Sequence, residues 1–269
     1  MASYTTGDEL QVDVLELEPL IKVAWVFDLL KRYFDYEVKG LENIPARGPA
    51  LLVMNHGLLA IDAVLLGLEN WRSTGRIIRF LGAHFIYRIP GLRRLFLTAG
   101  VVDGNPVTAD ELIGRGELVA VMPGGVKEAC RPSSERYQLK WEGRTGFVSL
   151  ALKKGLPIIP VFCIGCDDMY HVFTDGSRSR EFLPIPGLQI PLFLGLGILP
   201  LPAKLKHYVG EPILFDEGPE LADDPDTLES LTQRVKQKME QLRDQGLRDR
   251  GDNVFDLWPA RKKDEPIEE

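Results

Sequence analysis

The sequence predicts an α/β fold in which a mostly parallel central sheet of about seven strands is covered by helices, with an N-terminal amphipathic helical segment leading into it. Three observations predict it. Short β-like runs alternate with helical ones along the middle of the chain, the pattern of parallel strands joined by crossover helices. Runs such as ALLVM and LVAVM are apolar at every position, as strands of a sheet with no wet face are. A length of 269 residues, 45% hydrophobic and 26% charged, supports one large core and would crowd a second.

The elements follow in order. Residues 1–35 form the helical segment: from Val14 to Phe34 apolar residues recur at steps of three and four, including Leu17, Leu20, Ile21, Trp25, Leu30 and Phe34. Such a stripe either lies on the core or lies in a membrane interface, with Trp25, Lys31 and Arg32 near the headgroups. Residues 36–258 form the main domain. Its strands are expected at Tyr36–Lys39, Ala50–Met54, Arg79–Ala83, Gly100–Asp103, Leu118–Met122, Pro157–Ile164 and Lys206–Val209. Helices are expected at Asp62–Trp71, Leu92–Thr98, Thr108–Arg115 and Thr145–Lys153. Asp224 followed by Pro225 offers a cap and a first-turn proline for a final helix through Leu228, Leu231, Val235, Met239 and Leu242. The tail, residues 259–269, has too little apolar surface to fold.

Charge and cysteine content exclude some functions. A formal net charge of −7 opposes a nucleic-acid binder, whose affinity rests on neutralising phosphates. The centre of the chain is nevertheless basic, with 14 Lys and Arg against 7 Asp and Glu between Asn70 and Lys154. Solvated helix faces or a phosphate-bearing ligand account for that equally well. Three cysteines make no disulfide framework, and Cys163 with Cys166, inside the apolar run PIIPVFCIGC, reads as buried strand thiols; no metal site is expected. The N-terminus MASYTTGDEL lacks the basic and apolar regions of a secretory signal, and no uninterrupted apolar stretch reaches the length of a membrane-spanning helix.

Four blocks could carry chemistry. NHGLLAID, residues 55–62, follows the apolar strand ALLVM. His56 and Asp62 are six positions apart, so a regular helix would put them about 240° apart; a turn, helped by Gly57, must bring them together. A histidine held in one tautomer by a carboxylate can take a proton from a hydroxyl. VMPGGVKEA, residues 121–129, also follows a strand. There Pro123, Gly124 and Gly125 allow a backbone turn whose amides could stabilise an oxyanion, and Lys127 and Glu128 could bind phosphate or orient the histidine. FIYRIPGLRRLFLTAG, residues 85–100, carries Arg88, Arg93 and Arg94, whose forks suit phosphate or carboxylate. GLPIIPVF, residues 155–162, reads as a buried strand with prolines.

Taken in order, these blocks resemble the phospholipid and glycerol acyltransferase superfamily over roughly Tyr36 to Pro212. Members present an HxxxxD-like turn, an arginine block, a Pro-x-Gly turn and a proline-bearing strand. Five residues rather than four separate His56 from Asp62, and Gly124, Gly125, Val126 and Lys127 stand where most glycerolipid members have Glu-Gly-Thr-Arg. Both departures look like the diacylglycerol acyltransferase 2 and monoacylglycerol acyltransferase branch, whose Glu matches Glu128. The resemblance implies an O-acyltransferase of lipid metabolism with no bound cofactor. It would move a fatty acyl group directly from acyl-CoA or acyl carrier protein to a hydroxyl of a glycerolipid acceptor. His56 would be general base, Asp62 its orienting partner, Gly124 and Gly125 the oxyanion donors and Glu128 a further site group. Asn55, Gly57, Arg88, Arg93, Arg94, Pro123 and Lys127 would contact substrates. A lysophosphatidate or lysophospholipid acyltransferase and a non-catalytic lipid-binding protein are the alternatives.

A lipid acceptor requires an apolar surface that reaches a bilayer. The segment 181–205, EFLPIPGLQIPLFLGLGILPLPAKL, is apolar but broken by prolines and cannot be one spanning helix. Residues 14–34 and 181–205 are the expected membrane contacts of a peripheral or monotopic protein on the cytoplasmic side of a membrane. A buried lid is the other reading of the second segment.

Overall fold

The computed structural model describes residues 24–83, 100–177, 190–196 and 199–250. All seven expected strands form, within a residue or two of their predicted ends: β1 (Glu37–Lys39), β2 (Ala50–Met54), β3 (Ile78–Gly82), β4 (Val101–Asp103), β5 (Leu118–Val121), β6 (Ile158–Ile164) and, later in the chain, β9 (Lys206–Val209). They make one sheet in the order β1-β9-β6-β2-β5-β3-β4. Every neighbouring pair is parallel except β6 with β9. A short antiparallel ribbon of β7 (His171–Thr174) and β8 (Leu192–Leu194) stands apart from it.

Both faces of the sheet are buried because successive side chains of a strand point to opposite sides. Leu51 and Val53 of β2 join one apolar cluster, and Ala50, Leu52 and Met54 join the other. That is why ALLVM has no polar position. The α-helices among the described residues are α1 (Ala24–Tyr33), α2 (Ile61–Thr74), α3 (Pro106–Gly114), α4 (Gly125–Ala129), α5 (Gly146–Lys154) and α6 (Pro225–Arg250). Capping is local. Asn105 accepts from the Thr108 amide at 2.8 Å ahead of Pro106, and Asp224 accepts from the Thr227 amide at 2.9 Å ahead of Pro225.

Helix α6 lies on β6 and β9 through Leu231, Val235, Met239 and Gly246. A Cβ at Gly246 would fall 2.5 Å from Ile164 and 2.8 Å from Tyr208, so a side chain there lifts the helix from the sheet. Gly246→Val is expected to cost about 1–3 kcal/mol by overpacking, read as a lower denaturant midpoint at unchanged slope.

Some expectations meet other outcomes. Residues 1–23, the arginine-bearing stretch 84–99, residues 178–189 and the tail from 251 lie outside the described residues. The expected helix Leu92–Thr98 and much of the two proposed membrane segments therefore lie there too. The described part of 181–205 includes β8, so it pairs as a strand where only a broken apolar loop was expected. The Pro-Gly-Gly turn opens a short helix, α4, that composition did not signal.

Candidate active site

Parallel register brings the expected blocks to one edge. Val53 of β2 pairs with Val121 of β5, and Met54 pairs with Val161 of β6. The residues after β2 and β5 therefore emerge side by side at the C-terminal edge of the sheet, where open α/β sheets build their sites.

Asn55 fastens this edge. Its Nδ2 donates to the Cys163 carbonyl at 3.1 Å, and its Oδ1 accepts from the Cys163 amide at 2.7 Å. The side chain is fully buried and continues the β2–β6 ladder by one rung. Both ends of the amide are used on the Cys163 main chain, and Nδ2 also lies 3.2 Å from the Cys166 sulfur.

His56 follows and is half-buried. Its Nδ1 lies 2.8 Å from the Gly57 carbonyl. A carbonyl only accepts, so Nδ1 carries the proton and Nε2 carries the lone pair. Burial lowers its pKa from 6.5 to about 4; the Gly57 carbonyl and Asp167 oppose the shift and Arg131 adds to it. The ring is therefore neutral at pH 7, with a basic nitrogen available.

The expected grip of Asp62 on His56 is not made. Asp62 is fully buried in the first turn of α2, and its Oδ2 lies 3.7 Å from His207 Nε2, on β9. The loop between the two residues turns through Leu59 (φ 65) and Ala60 (φ 48), both left-handed, before α2 begins at Ile61. The Gly57 carbonyl holds the tautomer that a carboxylate was expected to hold. Burial raises the Asp62 pKa to about 7, although the nearby Asp62 and Ala63 amides and the Cys163 thiol pull it down.

Gly57 is needed for space and not for the turn. Its φ is −89, and a Cβ would fall 2.9 Å from Cys166 Cβ and 3.1 Å from the Cys166 carbonyl. Gly124 is similar, since a Cβ there would overlap the Glu128 carboxylate at 2.2 Å. Gly125 is left-handed (φ 54), and its amide donates to the Met122 carbonyl at 2.9 Å. That bond closes the turn, so Gly125 does not offer the oxyanion donor expected of it. The Pro123 carbonyl accepts from Arg144. Lys127 pairs with Glu142 at 2.7 Å on the surface. Arg88, Arg93 and Arg94 lie outside the described residues.

Glu128 is the hinge of the arrangement. Fully buried, it accepts from the His56 amide at Oε1 and from the Lys140 amide at Oε2, each at 2.8 Å. Burial raises its pKa, and Arg131, whose Nη1 is 3.6 Å from Oε1, acts in the opposite sense. Glu128 thus holds the backbone of His56.

Arg131, Asp167, Asp168 and Tyr137 were not anticipated. Arg131 forks onto Asp167 through Nε at 3.0 Å and Nη2 at 2.6 and 2.7 Å, and donates to the Glu128 carbonyl at 2.9 Å. Asp167 also accepts from the Tyr137 amide at 2.7 Å, and Asp168 accepts from the Tyr137 hydroxyl at 2.7 Å and from Arg250 at 2.5 Å. Two adjacent acids three and four residues past the end of the buried strand β6 were the available signal. A cavity of about 10 Å³ sits between Arg131, Asp167, Ser133 and Tyr170. That is room for one water, not for an acyl chain.

Known proteins share much of this chain. The family model described as "Acyltransferase" matches residues 35–164, a span holding β2, His56, Asp62, the Pro-Gly-Gly turn and Glu128. Uncharacterized protein Rv0502 of Mycobacterium tuberculosis is 35% identical over 248 residues, covering 88% of this chain and 69% of that protein. The human protein named "DGAT1/2-independent enzyme synthesizing storage lipids" is 32% identical over 209 residues, covering 78% of this chain and 61% of its own. Among solved structures, the 1-acyl-sn-glycerophosphate acyltransferase of Thermotoga maritima aligns with a TM-score of 0.47 at 19% identity, over 87% of this chain and 84% of that one. The chain belongs to the acyltransferase family.

Proposed function

We propose that this acyltransferase moves a fatty acyl group from a thioester donor, acyl-CoA or acyl carrier protein, to a hydroxyl of a glycerolipid, with His56 as general base. One observation carries the reading: the Gly57 carbonyl at Nδ1 leaves an unprotonated Nε2 on a neutral ring at the sheet edge. The acceptor hydroxyl gives its proton to Nε2 as its oxygen attacks the thioester carbonyl. The tetrahedral oxyanion that forms then collapses: its carbonyl re-forms, the carbon–sulfur bond breaks, and the leaving thiolate takes the proton from the imidazolium. The Gly124 amide, unlike that of Gly125, does not make the turn-closing bond, and it is the candidate donor for the transient oxyanion. Glu128 fixes the His56 main chain.

A neutral glyceride is the favoured acceptor. The Pro-Gly-Gly turn places Lys127 against Glu142 at the surface, and the human relative's name refers to storage lipids. The surface that would meet the bilayer is apolar and contiguous in type. Trp25, Leu29 and Tyr33 are exposed along one stripe of α1, and Leu192 and Leu194 are exposed on one face of β8. The Tyr33 hydroxyl donates to the Pro200 carbonyl at 2.7 Å, which ties α1 to the segment after the ribbon. No helix among the described residues is long and apolar enough to cross a membrane. Peripheral attachment through this surface is the mode we propose.

Mass spectrometry of the lipids formed by purified protein from oleoyl-CoA and a panel of acceptors tests the reading. Mono- or diacylglycerol is expected to be acylated and lysophosphatidate to be poor. Free fatty acid without acylated product would sink the transfer mechanism. The pH dependence carries a second expectation. A His56 pKa near 4 keeps the base unprotonated through mildly acidic pH, so the His56 limb of the single-turnover rate should lie below pH 6. A limb at the ordinary histidine value of 6.5 would contradict the burial of the ring. The stability sign follows from the same shift. The unfolded chain takes up this proton near 6.5 and the folded one only near 4, so stability is lost as pH falls through that window.

A further inference from the structure

Asp62, released from His56, sits with two other buried donors drawn from two other elements. Asp62 at the start of α2, Cys163 on β6 and His207 on β9 are each fully buried. One ligand-type atom from each lies within 4.8 Å of the other two. The set is held rigidly, because Cys163 and His207 are register partners across the β6–β9 pair and the Cys163 main chain is gripped on both sides by Asn55.

We propose that Asp62, Cys163 and His207 form a structural zinc site beneath the catalytic histidine. Two of the three donors are unsatisfied, and the third, the Cys163 thiol, reaches the Ile164 carbonyl at 3.6 Å. Neither Asp62 oxygen nor His207 Nε2 meets a donor or acceptor at hydrogen-bonding geometry, and buried polar atoms left in this way are costly unless a water or ion completes them. The separation of Asp62 Oδ2 from His207 Nε2, 3.7 Å, is too long for a hydrogen bond. It is a few tenths of an ångström wider than the roughly 3.3–3.5 Å between an oxygen and a nitrogen ligand of one tetrahedral zinc, a gap that a bound ion would close.

The chemistry of the set agrees. Thiolate, imidazole and carboxylate are zinc ligands, and one thiolate with one carboxylate cancels the two positive charges, as a site without solvent requires. Both Asp62 oxygens are unpartnered, so the carboxylate can supply two of four positions. His207 Nδ1 lies 3.0 Å from the Tyr36 hydroxyl, an outer contact of the kind that fixes the tautomer of a ligating histidine with Nε2 facing the metal. Such an ion would join the start of α2 to β6 and β9 and so hold the loop that carries His56. Because the three donors are closed from solvent, it would enter during folding.

Full-length protein, produced in zinc-supplemented medium and purified without chelators, is expected to carry about one zinc per chain by elemental mass spectrometry. Protein refolded with cobalt should show a thiolate-to-cobalt absorption band. Cys163→Ser should abolish the band and Cys166→Ser should keep it, while His207→Gln should weaken retention. Metal-free protein as isolated, with no cobalt band after refolding, overturns the proposal. So does a band that survives Cys163→Ser or is lost only in Cys166→Ser. The wild-type measurements decide the matter even where a variant fails to fold, and none of these readouts depends on acyl transfer.

Discussion

Replacing His56 with Ala is expected to lower kcat/KM by about 10²- to 10⁴-fold, the largest effect of any single change in this protein. A methyl group cannot take the acceptor's proton. The fold should survive, since the ring is half-buried and the main-chain bond from His56 to Glu128 does not need the side chain. Thioester binding should also survive, which separates loss of chemistry from loss of substrate. Single-turnover rates with a radiolabelled thioester, together with thermal melting, check both halves. Turnover at the wild-type rate in a folded His56→Ala variant would remove His56 from the mechanism.

Arg131→Leu is expected to be the most damaging change to stability. The guanidinium is 3% exposed as a residue and makes three contacts to Asp167 and one to the Glu128 carbonyl. Leucine fills much of the volume but leaves the Asp167 charge buried without its partner, a situation that costs about 3–5 kcal/mol. In a chain of this size that corresponds to a fall in Tm of roughly 6–20 °C. Arg131→Lys should fall between, since a point charge cannot reproduce the fork. Activity should drop with stability, because Glu128 would lose the cation that faces it and Glu128 carries the His56 amide. A Tm within two degrees of wild type would show that Asp167 finds other partners.

The strands were legible because their signal is local. ALLVM, LVAVM and PIIPVFCI read as buried from their own residues, and all three lie in the middle of the sheet. The two histidine-bearing elements show where legibility stopped. His56 was found from its position after β2, whereas His207 looked like part of an ordinary strand; only its antiparallel pairing with Cys163 brings it to Asp62. Gly57 and Gly124 drew attention as turn formers, yet their necessity comes from Cys166 and Glu128, which are distant in sequence in the first case and four residues away in the second. Arg131 looked like one more basic residue in a basic region until Asp167, 36 residues away, closed on it.

Residue order alone encodes the layered α/β architecture, the strand positions, the family and the histidine at the sheet edge, since periodicity, apolar runs and ordered motifs are properties of neighbouring residues. Which groups touch that histidine is settled only in three dimensions. The Gly57 carbonyl, not Asp62, faces Nδ1; Glu128 holds the main chain; Asp62 turns to β9. Side-chain partners across a sheet depend on strand order and on the φ angles of one short loop, Leu59 and Ala60, and no spacing along the chain encodes either.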